Sequence, residues 1–181
     1  PTPLRDVYLL QPRVFGDQRG FFLESWNQET FRSAGFDMHF VQDNHSRSAR
    51  GILRGMHYQT EHTQGKLVRV TSGEVFDAVV DLRRSSPTLG QWYGVTLSAG
   101  NHRMLWVPPG FAHGFYVMSD FADFQYRCTE LYHPQSEVSL AWLSTGYLFM
   151  AQSHTTILEA YGGTSQKIQS GIYEGMLERE R

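Results

Sequence analysis

The sequence predicts an all-β-dominated antiparallel jelly-roll barrel with a few short helices. Three observations carry this. Short apolar runs recur along the chain, divided at short intervals by Gly, Pro, Asn and Ser, the spacing of a β-sandwich or closed barrel. Aromatic residues form 14% of the 181 residues, beside 17 glycines and 7 prolines, a balance that favours strands joined by turns. The gaps between runs leave no room for the crossover helices of a parallel sheet.

Each element follows from its local chemistry. Val7 to Leu10 is a short apolar run closed by Gln11-Pro12 and predicts a first strand. Phe15-Gly-Asp-Gln-Arg-Gly predicts a turn, because two glycines bracketing Asp17 permit positive φ. Asn27 to Ala34 carries polar residues around Phe31 and stops at Gly35, which predicts a short helix capped by Asn27, the one helix expected before residue 150. Strands are then expected at Phe40–Asp43, Ile52–Gln59, Lys66–Ser72, Glu74–Asp81, Trp92–Leu97, Met104–Val107 and Gly114–Met118. The run from Phe124 to Thr129 is also strand-like and should bury the single cysteine, Cys128. Lys66-Leu-Val-Arg-Val and Phe76-Asp-Ala-Val-Val-Asp-Leu alternate in part, so one set of side chains should face inward and the other outward. From Ala151 the chain becomes a looser mix of Ser, Thr, Gln and Gly, and Ile168 to Arg181 is expected as a terminal helix. With no linker, repeat or low-complexity tract, residues 1–181 are expected to form one domain with an atypical tail from about residue 143.

Composition excludes several classes of function. A formal charge of −2 offers no bulk attraction to nucleic acid or to an anionic membrane. No apolar stretch approaches the roughly 20 residues of a membrane-spanning helix, and Pro1-Thr-Pro-Leu-Arg lacks a signal-peptide core. One cysteine cannot form an intrachain disulfide, which suits a reducing compartment, so a cytoplasmic protein is expected.

Two histidines stand among strand and turn residues, His57 in Leu53-Arg-Gly-Met-His-Tyr-Gln and His113 in Pro108-Pro-Gly-Phe-Ala-His-Gly-Phe. The second segment resembles the Pro-x-Gly-x-x-His half of the cupin signature. Metal-binding cupins add His-x-His and a Glu on an earlier strand pair, because inward positions two apart can share one ion. Here the corresponding segment reads His57-Tyr-Gln, so no metal site is expected. Without a metal, an imidazole in a barrel is suited to proton transfer near neutral pH. Arg54, Arg19 and Lys66 would place several cations at the barrel mouth, which suits a diphosphate. Tyr126 can serve as a general acid if its hydroxyl faces the cavity opposite His57.

In order along the chain stand Val14-Phe-Gly-Asp-Gln-Arg-Gly-Phe-Phe-Leu-Glu, Phe40-Val-Gln-Asp-Asn-His-Ser, Leu53-Arg-Gly-Met-His-Tyr-Gln, Gln64-Gly-Lys-Leu-Val-Arg-Val, Gly73-Glu-Val-Phe-Asp, Ser86-Pro-Thr-Leu-Gly and Gly110-Phe-Ala-His-Gly-Phe. From about Val7 to Trp142 this set closely resembles the dTDP-4-dehydrorhamnose 3,5-epimerase family. The resemblance implies a cupin-like jelly roll, a homodimer, no metal or other cofactor, and a dTDP-4-keto-6-deoxyhexose substrate epimerised at C3 and/or C5. It implies that His57 is the base, that Tyr126 is the acid on the opposite face, and that Lys66 stabilises the enolate oxygen at C4. It further implies that Arg19, Glu24, Gln42, Asp43, Asn44, Arg54, His113 and Glu137 line the ligand site and that Tyr132 stacks on thymine. Removing a proton beside a carbonyl requires a fixed cation or donor at the developing oxyanion, so His57 and Lys66 are expected on one wall of a dry cavity.

The tail departs from the family. Its members continue past the tryptophan to a Leu-Ser-x-Lys-Asp segment whose Asp orients the catalytic histidine, whereas here no aspartate follows Asp123. Glu159 and Asp81 are the candidate substitutes, and loss of an orienting carboxylate would weaken proton abstraction by orders of magnitude. Two other functions stay open at this level: an inactive or binding-only relative, from the altered tail, and a metal-dependent cupin oxygenase, from the Pro-x-Gly-x-x-His element.

Overall fold

Backbone pairing in the computed structural model, which describes residues 1–140, resolves the strand signals into two five-stranded antiparallel sheets and a separate hairpin. In chain order the elements are β1 (Tyr8–Leu10), β2 (Val14–Asp17), β3 (Gly20–Leu23), α1 (Gln28–Ser33), β4 (Gln42–Ala49), β5 (Leu53–Gln59), β6 (Lys66–Ser72), β7 (Glu74–Asp81), β8 (Trp92–Ser98), β9 (Met104–Val107), β10 (Phe111–Val117), β11 (Phe121–Cys128) and β12 (Glu137–Ser139). The first sheet runs β1-β9-β6-β11-β4 and the second β12-β5-β10-β7-β8, while β2 and β3 pair only with each other. The neighbours are mostly distant in sequence, as the jelly-roll expectation requires. The expected tail helix and Glu159 lie outside the described residues.

Alternation fixes which residues face the barrel interior. On β6 the side chains of Val68 and Val70 enter a core with Val75 and Val79 of β7, Leu105 and Val107 of β9, Phe115 and Val117 of β10, and Phe124 of β11. Leu67 points the other way, into a second cluster with Met38, Met104 and Trp106. Tyr8, Trp26, Phe31, Phe36 and Phe40 close over that cluster, so α1 serves as a cover for the outer face of the first sheet. Its N-terminus is capped as expected, with the Asn27 side chain accepting from the backbone N–H groups of Glu29 and Thr30. On β7 the expected inward/outward contrast is absent, because every residue from Val75 to Asp81 is buried.

Several boundaries differ for physical reasons. The strand expected at Phe40–Asp43 begins at Gln42 and runs to Ala49, since Gln42-Asp-Asn-His-Ser-Arg-Ser-Ala has no apolar alternation to announce it. The strand expected from Gly114 starts at Phe111, directly after the positive-φ Gly110 that ends the Pro-Pro-Gly turn. The turn expected over Phe15–Gly20 narrows to Gln18-Arg19 at the tip of the β2–β3 hairpin, with Phe15–Asp17 and Gly20 already paired in its strands. A 3-10 turn at Pro134–Ser136 adds a second short helical piece among the described residues, and the three-residue β12 is too short to register as a pattern.

Candidate active site

A cavity of about 140 Å³ opens between the two sheets, lined by Ser46, Arg54, His57, Lys66, His113 and Tyr126, with Phe115 and Phe124 as its apolar floor. β5 and β10 of the second sheet supply Arg54, His57 and His113; β4, β6 and β11 of the first supply Ser46, Lys66 and Tyr126. The expectation that His57 and Lys66 share one wall is corrected: they stand on facing sheets of one narrow cavity. Both side chains line that cavity.

Simple period-2 alternation would put Arg54 and His57, three apart, on opposite faces. The β5–β10 register shifts between His113 and Phe115, so that His57 lies opposite His113 while Arg54 lies opposite Phe115, and both turn inward. Gly55 makes the shift feasible. Its φ is +98°, and a Cβ there would lie 2.6 Å from both the Gly114 Cα and the His113 carbonyl oxygen. Gly55→Ala is therefore expected to cost about 3 kcal/mol or more, from positive-φ strain and backbone overpacking together. Urea denaturation checks it, and a loss below ~0.5 kcal/mol would contradict this account.

Electrostatics tune the three central groups. Burial lowers the pKa of His57, with Glu137 opposing and Lys66, His113 and Arg54 reinforcing the shift. Lys66 is also lowered by burial, against the pull of Cys128, Glu137 and Asp77. Burial raises Tyr126, which keeps the hydroxyl protonated. Arg54 donates from Nε to Ser48 Oγ at 2.9 Å, which fixes the stem of its guanidinium.

At the mouth, β12 pairs with β5 so that Glu137 is opposite Gln59 and Ser139 opposite His57. The Glu137 carboxylate raises the pKa of the neighbouring Tyr132 hydroxyl, which is half-exposed. Gln42 Oε1 accepts from the Tyr132 backbone N–H at 2.9 Å, and Gln42 Nε2 donates to Asn44 Oδ1 at 2.9 Å. Gln42, Asn44 and Tyr132 thus form one hydrogen-bonded rim, with Glu137 acting on it by charge.

Three expected residues are not brought to this cavity within one chain. Asp43 is out of phase with Gln42 and Asn44, so its carboxylate leaves the opposite face of β4 and accepts from Arg127 Nε at 3.1 Å. Arg19 sits at the tip of the β2–β3 hairpin, its guanidinium engaged with Asp17 and its side chain 85% exposed. Glu24 accepts from Asn27 and Thr30 at 3.0 and 3.1 Å and lines a separate apolar groove between the hairpin, α1 and the first sheet. Asp81, a candidate partner for His57, is corrected too: it is held by Arg83, Ser86 and Thr88 at the end of β7. These donors hold it well below the usual carboxylate range despite its burial.

Asp77 was not anticipated as a site residue. It is fully buried and accepts from His113 Nε2, with distances of 2.9 and 3.1 Å to its two oxygens. The signal was present in the sequence, because one acid inside the apolar run Val75-Phe-Asp-Ala-Val-Val needs a buried partner. Among the described residues no three His, Cys, Asp or Glu side chains converge as metal ligands would, and no helix is long and apolar enough to cross a membrane.

A jelly-roll barrel whose cavity sets an imidazole against an ammonium and a phenol belongs to the cupin-type enzymes of acid–base chemistry. The family model for dTDP-4-dehydrorhamnose 3,5-epimerase matches residues 1–152. The dTDP-4-dehydrorhamnose 3,5-epimerase of Pseudomonas aeruginosa is 61% identical over 138 residues, 76% of each chain. The crystal structure of the dTDP-6-deoxy-D-glucose-3,5-epimerase of Legionella pneumophila in complex with dTDP-4-keto-L-rhamnose superposes with a TM-score of 0.77 at 54% identity, covering 78% of this chain and 76% of that one. A 3′-monoepimerase from Streptomyces bikiniensis in complex with dTDP-quinovose gives 0.76 at 32% identity over 81% of this chain and 76% of its own. The chain belongs to the dTDP-4-dehydrorhamnose 3,5-epimerase family.

Proposed function

We propose that this protein inverts C3 and/or C5 of a dTDP-4-keto-6-deoxyhexose by moving protons beside the ketone, in the dTDP-L-rhamnose route or a related deoxysugar route. One observation carries the reading: His57 and Tyr126 line one cavity from facing sheets. Inversion requires a proton to leave one face of the sugar ring and another to arrive on the other. His57 takes the proton from the carbon next to the ketone, the C–H electron pair becomes the C3–C4 or C4–C5 double bond, and the C4 oxygen becomes an enolate. Lys66 meets that oxygen. Tyr126 then gives its proton to the carbon from the opposite face as the double bond returns its electrons to carbon, and solvent reprotonates the phenolate and takes up the proton held by His57.

Arg54 and His113 are suited to hold diphosphate or sugar oxygens, and the rim of Gln42, Asn44, Tyr132 and Glu137 to hold the nucleoside end, with thymine against the Tyr132 ring. The ligand in the Legionella relative supports this substrate class. Incubating folded protein with the keto sugar in deuterium oxide tests the reading. Deuterium at C3, C5 or both is expected, and no exchange at either carbon would sink it. Tight binding without exchange is the outcome that would favour a binding-only protein.

The rate carries a pH signature. His57 must be neutral to accept a proton, and burial lowers its pKa, so the acidic limb of kcat is expected below the ordinary imidazole value of about 6.5. A limb above that value would assign the base elsewhere.

We further propose a cytoplasmic homodimer. Phe15, Phe21 and Phe22 on the β2–β3 hairpin are 50%, 63% and 68% exposed, an aromatic surface that supports pairing of two copies, and the same hairpin carries Arg19. A monomer by light scattering at micromolar concentration would remove this part.

A further inference from the structure

We propose that Asp77 is a positioning residue of the proton-transfer site, holding His113 by Nε2 opposite His57 and supplying the buried negative charge that balances Lys66. This deepens the proposed epimerase reading and rests on it for the meaning of the site, though its test does not depend on turnover.

The geometry is specific. Asp77 sits on β7 with Val75 and Val79, on the face that builds the barrel core. It is wholly inaccessible, and both carboxylate oxygens lie within hydrogen-bond distance of His113 Nε2. His113 lines the cavity and is the direct cross-strand partner of His57. With Nε2 committed to the carboxylate, Nδ1 is the one ring nitrogen left for a ligand oxygen, so the carboxylate fixes the tautomer that the cavity meets.

Charge balance points the same way. Arg54 and His57 come from β5, Lys66 from β6, His113 from β10, Tyr126 and Cys128 from β11, and Glu137 from β12. Two carboxylates act on Lys66, and of these Glu137 is exposed while Asp77 is buried. Burial holds Asp77 above the usual carboxylate range on balance, and His113 and Lys66 oppose that rise by favouring the charged form. Buried groups coupled in this way share their protons, so removing one charge is felt by the others. A carboxylate on His113 also differs from the one expected on His57: it acts on the ligand-holding imidazole and the ammonium.

The composition makes the test clean. The chain holds two lysines, Lys66 and Lys167, against 14 arginines, so protein grown with 13Cε-lysine gives two side-chain signals, and Lys167→Arg assigns them. In Asp77→Asn the Lys66 signal is expected to titrate about one unit lower than in the wild type, and the basic limb of the exchange rate to move with it. Asp77→Glu, which keeps the charge, should restore the titration towards the wild-type position. The exchange rate of Asp77→Asn is expected to fall at least about tenfold at neutral pH, and the double variant with His113→Gln to lose no more than the worse single variant, as coupled sites do. If Asp77→Asn does not fold, Asp77→Ser, which also removes the charge, takes its place in the same comparison. An unmoved Lys66 titration in a folded charge-removing variant overturns the proposal, as do losses that multiply in the double variant. Absence of exchange in the wild type would instead sink the epimerase reading, and the lysine titration would still decide the role of Asp77.

Discussion

His57→Ala is expected to lower solvent exchange at C3 and C5 by a factor on the order of 10³ or more, because a positioned general base supplies roughly 10²–10⁴ in rate and none of the described residues on the cavity wall is suited to take over. The neighbours of His57 on the cavity wall are Arg54, which is permanently cationic, and His113, whose Nε2 is committed to Asp77. Glu137 is near enough to affect His57 by charge but lies exposed on β12 and also acts on the Tyr132 hydroxyl. The fold should survive, since the His57 side chain is only partly buried and belongs to neither apolar cluster. Deuterium exchange resolved by carbon, together with a thermal melt, checks both halves. A wild-type rate at either carbon would remove His57 from the step at that carbon.

Lys66→Met is expected to lower kcat by about 10²–10³ with little change in KM, the pattern of an interaction formed mainly with the developing oxyanion. Methionine keeps much of the aliphatic stem, so β6 should remain packed through Leu67, Val68 and Val70. The loss should arise from charge alone. Steady-state kinetics separates the two constants, and a rise in KM at unchanged kcat would make Lys66 a substrate-binding group with no part in the enolate step. The variant should also shift His57 upward, because Lys66 is one of the charges holding it down. Its acidic limb should therefore move to higher pH.

The sequence revealed the strands that are built from apolar alternation and hid those that are not. Lys66–Ser72, Glu74–Asp81 and Met104–Val107 appear with the expected boundaries because their side chains make the core. β4 carries no apolar signal because its less exposed residues, Gln42, Asn44, Ser46 and Ser48, are polar where a core strand would carry Val or Leu, and Ser46 lines the cavity. The central groups of the site were legible from motif, and the structure brings His57, Lys66, Tyr126, Arg54 and His113 to one cavity. Motif likeness does not show the phase of a strand, which is why Asp43 was grouped with neighbours that point the other way. Nor does it show which groups one chain can bring together, which is why Arg19 and Glu24 were expected beside a cavity that they do not line. The buried pairing of Asp77 with His113 joins residues 36 positions apart, and only the fold could reveal it.

The register break between β5 and β10 gives the two halves of β5 independent phase. A residue inserted just after Gly55 would rotate His57 out of the barrel and leave Arg54 in place, giving a protein that grips its anionic ligand without touching the reactive carbon. A shift on the other side of the break would spare the base and release the grip. Capture and chemistry are thus separable at a single peptide, which offers a route by which a catalyst of this architecture could drift into a carrier or sensor of the same molecule.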